Sequence, residues 1–349
     1  MSMPSPADPP AQAILAGAFA GFASAVAHGA REPAGSAAWV LSSGIVAAQQ
    51  CNAALLCDTL ACTARQVRER YAQQSWKPRD LFICNSPFLG GVTLDVVTML
   101  VPVPAADGTA GLAGLAVRYA DFGAMARGAF ALRRETRHEG FCLPLLRLEF
   151  EREPLPEILT AMIGGNVRRP DQAVRGLEAQ ALAVRRAAGE LAASEVPLAD
   201  RAVARMADAI AGFPPGRFPG RAALAPADRE TSAHVIAEVE VAGGRVRVRL
   251  AVTDPDALGD DCHSSLAATR AGVVSALAAA SGMPAWALSA VTDVETGGDR
   301  RLDAAYPDAV AGGAILSFAC HQAVAAAMQA SGMPVRDHPT LDRFSGTAT

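Results

Sequence analysis

Several common signatures are missing from this sequence. There is no Gly-x-x-x-x-Gly-Lys-Ser/Thr loop, no Gly-x-Gly-x-x-Gly and no His-Glu-x-x-His. That excludes a phosphate cradle, a dinucleotide fingerprint and a zinc-binding helix of the usual kind. The Gly-Gly pairs beginning at Gly90, Gly164, Gly243, Gly297 and Gly312 stand alone. An excess of basic charge is missing too: 31 Lys and Arg against 35 Asp and Glu leave a net charge of −4. A nucleic-acid partner would call for a basic surface. The apolar stretch Ile14 to Ala27 has no Lys or Arg before it, whereas a secretory leader begins with positive charge. It also falls short of the roughly 20 apolar residues of a membrane span. A buried helix after a Pro-rich mobile tail (1–12) is expected instead, with no membrane association. Seven cysteines, an odd number without zinc-type spacing, point to reduced thiols and a cytoplasmic location. Cys51, Cys57 and Cys62 lie in an Ala/Leu-rich segment and read as small packing groups.

What is present is enough apolar material, 51% of 349 residues, for one large core or two lobes. The chain is organised around Arg79 to Thr98, RDLFICNSPFLGGVTLDVVT. Leu81 to Ile83 is a short apolar run, and Asn85-Ser86-Pro87 breaks it with turn-forming residues. Gly90-Gly91 allows close backbone approach, and Leu94 to Val103 resumes as a β-branched strand. Strand, stiff loop and strand make a frame for a site.

The remaining elements follow from pattern. Ser36 to Ala47 reads as two strands around Ser42-Ser43-Gly44, and Asp58 can cap a helix running through Val67 and Tyr71. Asp107-Gly108 is a hairpin turn between Leu100-Val101 and Leu115-Val117. Residues 127–150 look irregular, and His138 within ETRHEG reads as a solvated loop histidine. A long helix is predicted from Asp171 to Ala193 behind Pro170, and another from Ala199 to Phe213. His234 to Val241 and Arg245 to Val252 alternate about Gly243-Gly244 as a hairpin, with Glu238 and Glu240 facing Arg245, Arg247 and Arg249. Leu266 to Ala280 is again helical. Ser86 and Ser317 have no neighbouring base that would make either a nucleophile.

These motifs resemble the B-type subunit of the hydantoinase and 5-oxoprolinase group, related to subunits of acetone and acetophenone carboxylases. Asn85, Pro87, Phe88, Gly90, Gly91, Leu94 and Thr98 match its Asn-Asp-Pro-Tyr, Gly-Gly and Thr-His-Leu-Pro-Asp pattern. Val117 to Gly123 matches its His-His-x-Asp-x-Gly region, and Asn166-Val167-Arg168-Arg169-Pro170 its Asn-Val-Arg-x-Pro. Glu139-Gly140 and Pro307 to Gly313 match two further motifs. The resemblance covers roughly Ser36 to Ala330 and implies a C-terminal Gly-rich region beyond this sequence, so the chain reads as a divergent, truncated member.

What the resemblance implies is an α+β fold, mixed α/β, two-lobed, with mainly antiparallel sheets and packed long helices. The lobes would span 13–196 and 197–335, with a C-terminal tail at 336–349. It also implies a metal centre, but the ligand positions fall on Thr93, Val96 and Arg118. Val has no donor atom and Arg no lone pair, so no metal is expected in this chain; ATP and a divalent metal would sit on partner subunits. Those partners would be a hydantoinase A-type subunit and a full-length B-type subunit. Asn85, Gly90, Gly91, Thr93, Arg118 and Arg168 are the pocket candidates. Arg168 could clamp an anionic substrate group bidentately or tie the helix start to a neighbouring subunit. Arg118 turned inward would need an acidic partner, Asp121 first and Asp95 second; turned outward, it leaves Leu94, Val96 and Phe122 to fill the pocket.

Two roles remain open. One is a structural or regulatory subunit of a hydantoinase, oxoprolinase or carboxylase-type complex. The other is a catalytic subunit with metal-free chemistry on a cyclic amide or ketone, using Asp95, Tyr119, Asp121 and Arg168.

Overall fold

The computed structural model describes residues 9–26, 33–106, 108–124, 134–150, 155–194, 198–224, 232–336 and 344. Eight α-helices and ten strands lie among them. Most of the expected tail and residues 127–133 fall outside the described residues, but Pro9 already opens the first helix, α1 (Pro9–Val26).

The first half is built on a six-stranded antiparallel sheet. Its strands are β1 (Gly35–Leu41), β2 (Val46–Cys51), β3 (Asp80–Cys84), β4 (Val96–Ala105), β5 (Gly108–Arg118) and β6 (Leu146–Glu149). Their order is β2-β1-β5-β4-β3-β6. In β4 both faces are apolar, as a strand covered on two sides requires. Val97, Met99 and Val101 face one core with Leu15 and Phe19 of α1 and Leu177 and Val184 of α4 (Pro170–Ala193). α3 (Glu157–Asn166) adds Leu159 and Ile163 to that layer. Val96 and Leu100 face the other core, which Leu60 and Val67 of α2 (Thr59–Arg70) help to fill.

This second core runs without interruption into the second half. There β7 (Gly216–Ala223), β8 (His234–Ala242), β9 (Arg245–Thr253) and β10 (Thr292–Glu295) form a sheet in the order β10-β9-β8-β7. The sheet is antiparallel except where β10 joins β9. Alternation decides its faces: Val235, Val239, Val246 and Val248 point into the core. On the wet face Arg249 reaches Glu238 at 2.7 Å, Arg245 reaches Asp293 at 2.8 Å and Arg247 reaches Glu295 at 3.1 Å. Such exposed pairs contribute at most about 1 kcal/mol each. Helices α6 (Leu266–Ser281) and α8 (Gly313–Ala330) lie in the middle layer, and α6 is apolar nearly all round because it is enclosed on every side. Shorter α5 (Leu198–Ala211) and α7 (Ala285–Ser289) close the seam.

The fold is therefore the mixed α+β architecture read from the sequence. Some expected details differ. Within the stretch read as irregular, Leu146–Glu149 is instead the edge strand β6, paired along β3. Asp58 stands at the N-cap position of α2 but makes no capping bond. Its carboxylate instead pairs with Arg270 of α6 at 2.5 Å, across 212 residues of sequence, and accepts from the Ser289 hydroxyl.

Candidate functional site

The frame at residues 84–95 is held by backbone chemistry. Asn85 is fully buried; its amide donates to the carbonyls of Leu94 (2.7 Å) and Phe141 (2.8 Å), and its oxygen accepts from the Leu143 N–H (2.5 Å). All of its principal bonding capacity is spent on holding three loops together. Gly90 has φ +94°, and a Cβ there would lie 2.4 Å from the backbone nitrogen of Thr63 on α2. A Cβ on Gly91 would meet the Ser86 carbonyl oxygen at 2.8 Å. The pair is glycine because the loop presses backbone against backbone.

Strand β4 begins at Val96, two residues later than expected, because a turn precedes it. The Val96 N–H bonds to the Thr93 carbonyl at 3.0 Å, and the Thr93 hydroxyl donates to Asp95 Oδ1 at 2.5 Å. Arg118, at the end of β5, stands directly across the ladder from Val96. Its Nε lies 3.4 Å from Asp95 Oδ2, with the arginine side chain 14% exposed and the aspartate 42%. Asp95, not Asp121, is thus the acidic partner of Arg118.

The next residue goes to the opposite face of the sheet, as strand geometry dictates. Tyr119 packs into the core beneath α4, where its hydroxyl donates to Gln180 Oε1 at 2.8 Å. The Gln180 amide in turn donates to the carbonyls of Val97 (3.0 Å) and Leu115 (2.7 Å). Gly176, one turn earlier on α4, makes room for the ring, since a Cβ there would meet Tyr119 Cε1 at 2.8 Å. Burial pushes the Tyr119 hydroxyl far above the ordinary phenol range.

Asp121 accepts two bonds from Arg168 Nη1, at 3.0 and 3.2 Å, and one from the Gly123 N–H at 3.1 Å. Arg168 also donates to the Ala124 carbonyl. The tie that Arg168 makes here is to its own chain rather than to a neighbouring subunit: it fastens the approach to α4 onto the turn after β5. The site candidates therefore form two groups, Thr93–Asp95–Arg118 and Tyr119–Gln180 with Asp121–Arg168.

A third feature joins the two halves of the chain. Thr136 donates to the carbonyl of Pro307, and Glu139 accepts from the N–H groups of Val310 (3.0 Å) and Ala311 (2.6 Å). Phe88 meets the exposed Tyr306 ring edge-on at 6.1 Å between centroids. His138 is half-buried rather than solvated, with Nδ1 enclosed. His263, which sequence reasoning passed over, is also half-buried. Burial first, then the charge of Arg301, moves its imidazole below the usual histidine range. Ser317 is buried and donates to the Ala268 carbonyl.

The metal implied by the resemblance can be tested on these residues. Val96 offers only hydrocarbon, the Thr93 hydroxyl is spent on Asp95, and the Arg118 guanidinium presents hydrogens and a positive charge. Among the described residues no group of three or more His, Cys, Asp or Glu could hold a metal ion. The residues do not fit a divalent cation. Nor is any described helix long and apolar enough to cross a membrane.

Comparison with known proteins agrees with the motifs. An uncharacterized protein of Methanocaldococcus jannaschii, MJ0963, is 30% identical over 102 residues, 29% of this chain and 18% of that protein. The ATP-dependent caprolactamase of Pseudomonas jessenii superposes with a TM-score of 0.71 at 16% identity, covering 92% of this chain and 59% of that one. A nucleotide-free acetone carboxylase superposes with a TM-score of 0.61 at 13% identity, covering 78% of this chain and 40% of that one. At these identities the two structures share the fold, and this chain spans 59% and 40% of their lengths. Residues 36–337 match the family model described as hydantoinase B/oxoprolinase, and the chain belongs to that family.

Proposed function

We propose that this chain is a non-catalytic B-type subunit of an ATP-dependent cyclic-amidase or carboxylase-type assembly. In this reading it shapes the assembly or substrate access. ATP and a divalent metal are bound by partners, an A-type subunit and a full-length B-type subunit. One observation carries the reading. Asn85, Thr93, Arg118, Tyr119, Asp121 and Arg168, the polar groups at the family's motif positions, all bond to their own chain. They brace loops and leave no assembled acid, base or nucleophile among them. All seven cysteines are free thiols, which suits a cytoplasmic complex.

A second reading rests on Asp95, the most exposed carboxylate of the group, as part of metal-free chemistry on a cyclic amide or ketone. Co-expression with an A-type and a full-length B-type subunit tests both. The chain should co-purify, and Asp95→Asn, Tyr119→Phe and Asp121→Asn should leave the turnover of the complex within twofold, about 0.4 kcal/mol in barrier. Failure to co-purify would refute the subunit role. A loss of a hundredfold or more with Asp95→Asn in an intact complex would establish the catalytic alternative.

A further inference from the structure

We infer that a built-in ion pair, Arg118 with Asp95, replaces the exchangeable divalent cation implied by the chain's family, so that this site is held together without metal. Three observations support it. Arg118 and Val96 are directly paired across β4 and β5, so the guanidinium rises from the same rung as one lost ligand position. The backbone fixes it from both sides: the Arg118 N–H bonds to the Ala34 carbonyl at 2.9 Å, and the Tyr119 N–H to the Asp95 carbonyl at 2.7 Å. Both oxygens of Asp95 are engaged, Oδ1 by the Thr93 hydroxyl at 2.5 Å and Oδ2 by Arg118 Nε at 3.4 Å.

Among the described residues the three positions thus form one charge-paired group. Thr93 orients the carboxylate, Asp95 supplies the negative charge and Arg118 the positive one. A divalent cation placed here would meet a fixed positive charge and would have to share the Asp95 carboxylate with it. Tyr119 and Asp121, each bonded to other side chains, offer no second anion to the group. Where a metal would tie the 92–95 turn to the end of β5 by coordination, the side-chain pair does so by charge.

The inference does not rest on the subunit role, because it is read on the purified chain alone. Elemental analysis after dialysis should find no stoichiometric Mn, Zn or Fe, and titration with Mn²⁺ or Zn²⁺ should show no saturable site. In denaturant unfolding, Arg118→Met and Asp95→Asn should each lower the midpoint, and the double variant should lose less than the sum. The reverse substitution, Thr93→His with Val96→Asp and Arg118→His, restores a plausible donor set and should gain metal-dependent stabilisation if it folds. One metal ion per wild-type chain, lost on Asp95→Asn, would overturn the inference. So would strictly additive effects of Arg118→Met and Asp95→Asn. Both measurements use variants of a site on the rim of the sheet, so a failure of the triple variant to fold leaves the test intact.

Discussion

Replacing Asp58 with asparagine should cost far more than removing any surface charge of this protein. Asp58 is 0% exposed and Arg270 7%. The carboxylate takes the Arg270 Nε–H at 2.5 Å, the Ser289 hydroxyl and the Cys62 thiol at 3.4 Å. Arg270 also reaches the carbonyls of Ser289 at 3.2 Å and Thr292 at 3.4 Å. Asparagine keeps the shape and removes the charge, leaving a guanidinium in the core. Breaking such a buried pair costs about 3–5 kcal/mol. The exposed partner of Arg249, Glu238, changed to Gln should cost under about 1 kcal/mol, which makes it the control. The double variant Asp58→Leu/Arg270→Met should recover part of the loss, because apolar groups of similar volume suit this core. The pH dependence has a definite sign. Burial pushes the Asp58 carboxyl up, but Arg270 and then Ser289 outweigh it, so the folded value lies below the ordinary one. The stabilisation is therefore complete above the unfolded value of about 3.9 and is lost as pH falls through the lower folded value. Urea unfolding of the four proteins between neutral pH and about pH 3 would measure this, the wild-type advantage over Asp58→Asn narrowing at the acid end. A cost below about 1 kcal/mol at neutral pH would refute the idea that this pair locks α2 to α6.

Three further outcomes are expected. Gly90→Ala should destabilise by more than about 2 kcal/mol, since its Cβ would meet Thr63 backbone at φ +94°, whereas Gly17→Ala, with nothing within 4 Å, should stabilise by up to about 1 kcal/mol; thermal melts decide. Glu139→Gln should weaken the hold on residues 310–311 and raise amide exchange there by tenfold or more, about 1.4 kcal/mol, without unfolding the sheet. A maleimide should label Cys142 first in the native protein, because Cys57, Cys62, Cys84, Cys262 and Cys320 are buried and burial pushes Cys62 and Cys84 up to about 12; mass mapping of early adducts on Cys62 or Cys84 would contradict the packing.

Local chemistry was legible in the sequence wherever it acts along the chain. Alternation placed β8 and β9, Pro170 marked the start of α4, and Gly90-Gly91 marked the tight loop. Matching motifs named the family, and the missing donor atoms at Thr93, Val96 and Arg118 were visible as residue types alone. Partner choice was not legible, because it depends on which face of a strand each side chain takes and on what the fold brings opposite. Asp121 is three residues from Arg118 and Asp95 is twenty-three away, yet the ladder sets Asp95 beside Arg118 and gives Asp121 to Arg168. Asp58 carried every local sign of a helix cap, and only the packing of α6 against α2 turned it into the anion of a buried pair. Burial makes that difference: once two segments exclude water between them, a charged group must find its partner across the interface, whatever its neighbours in sequence.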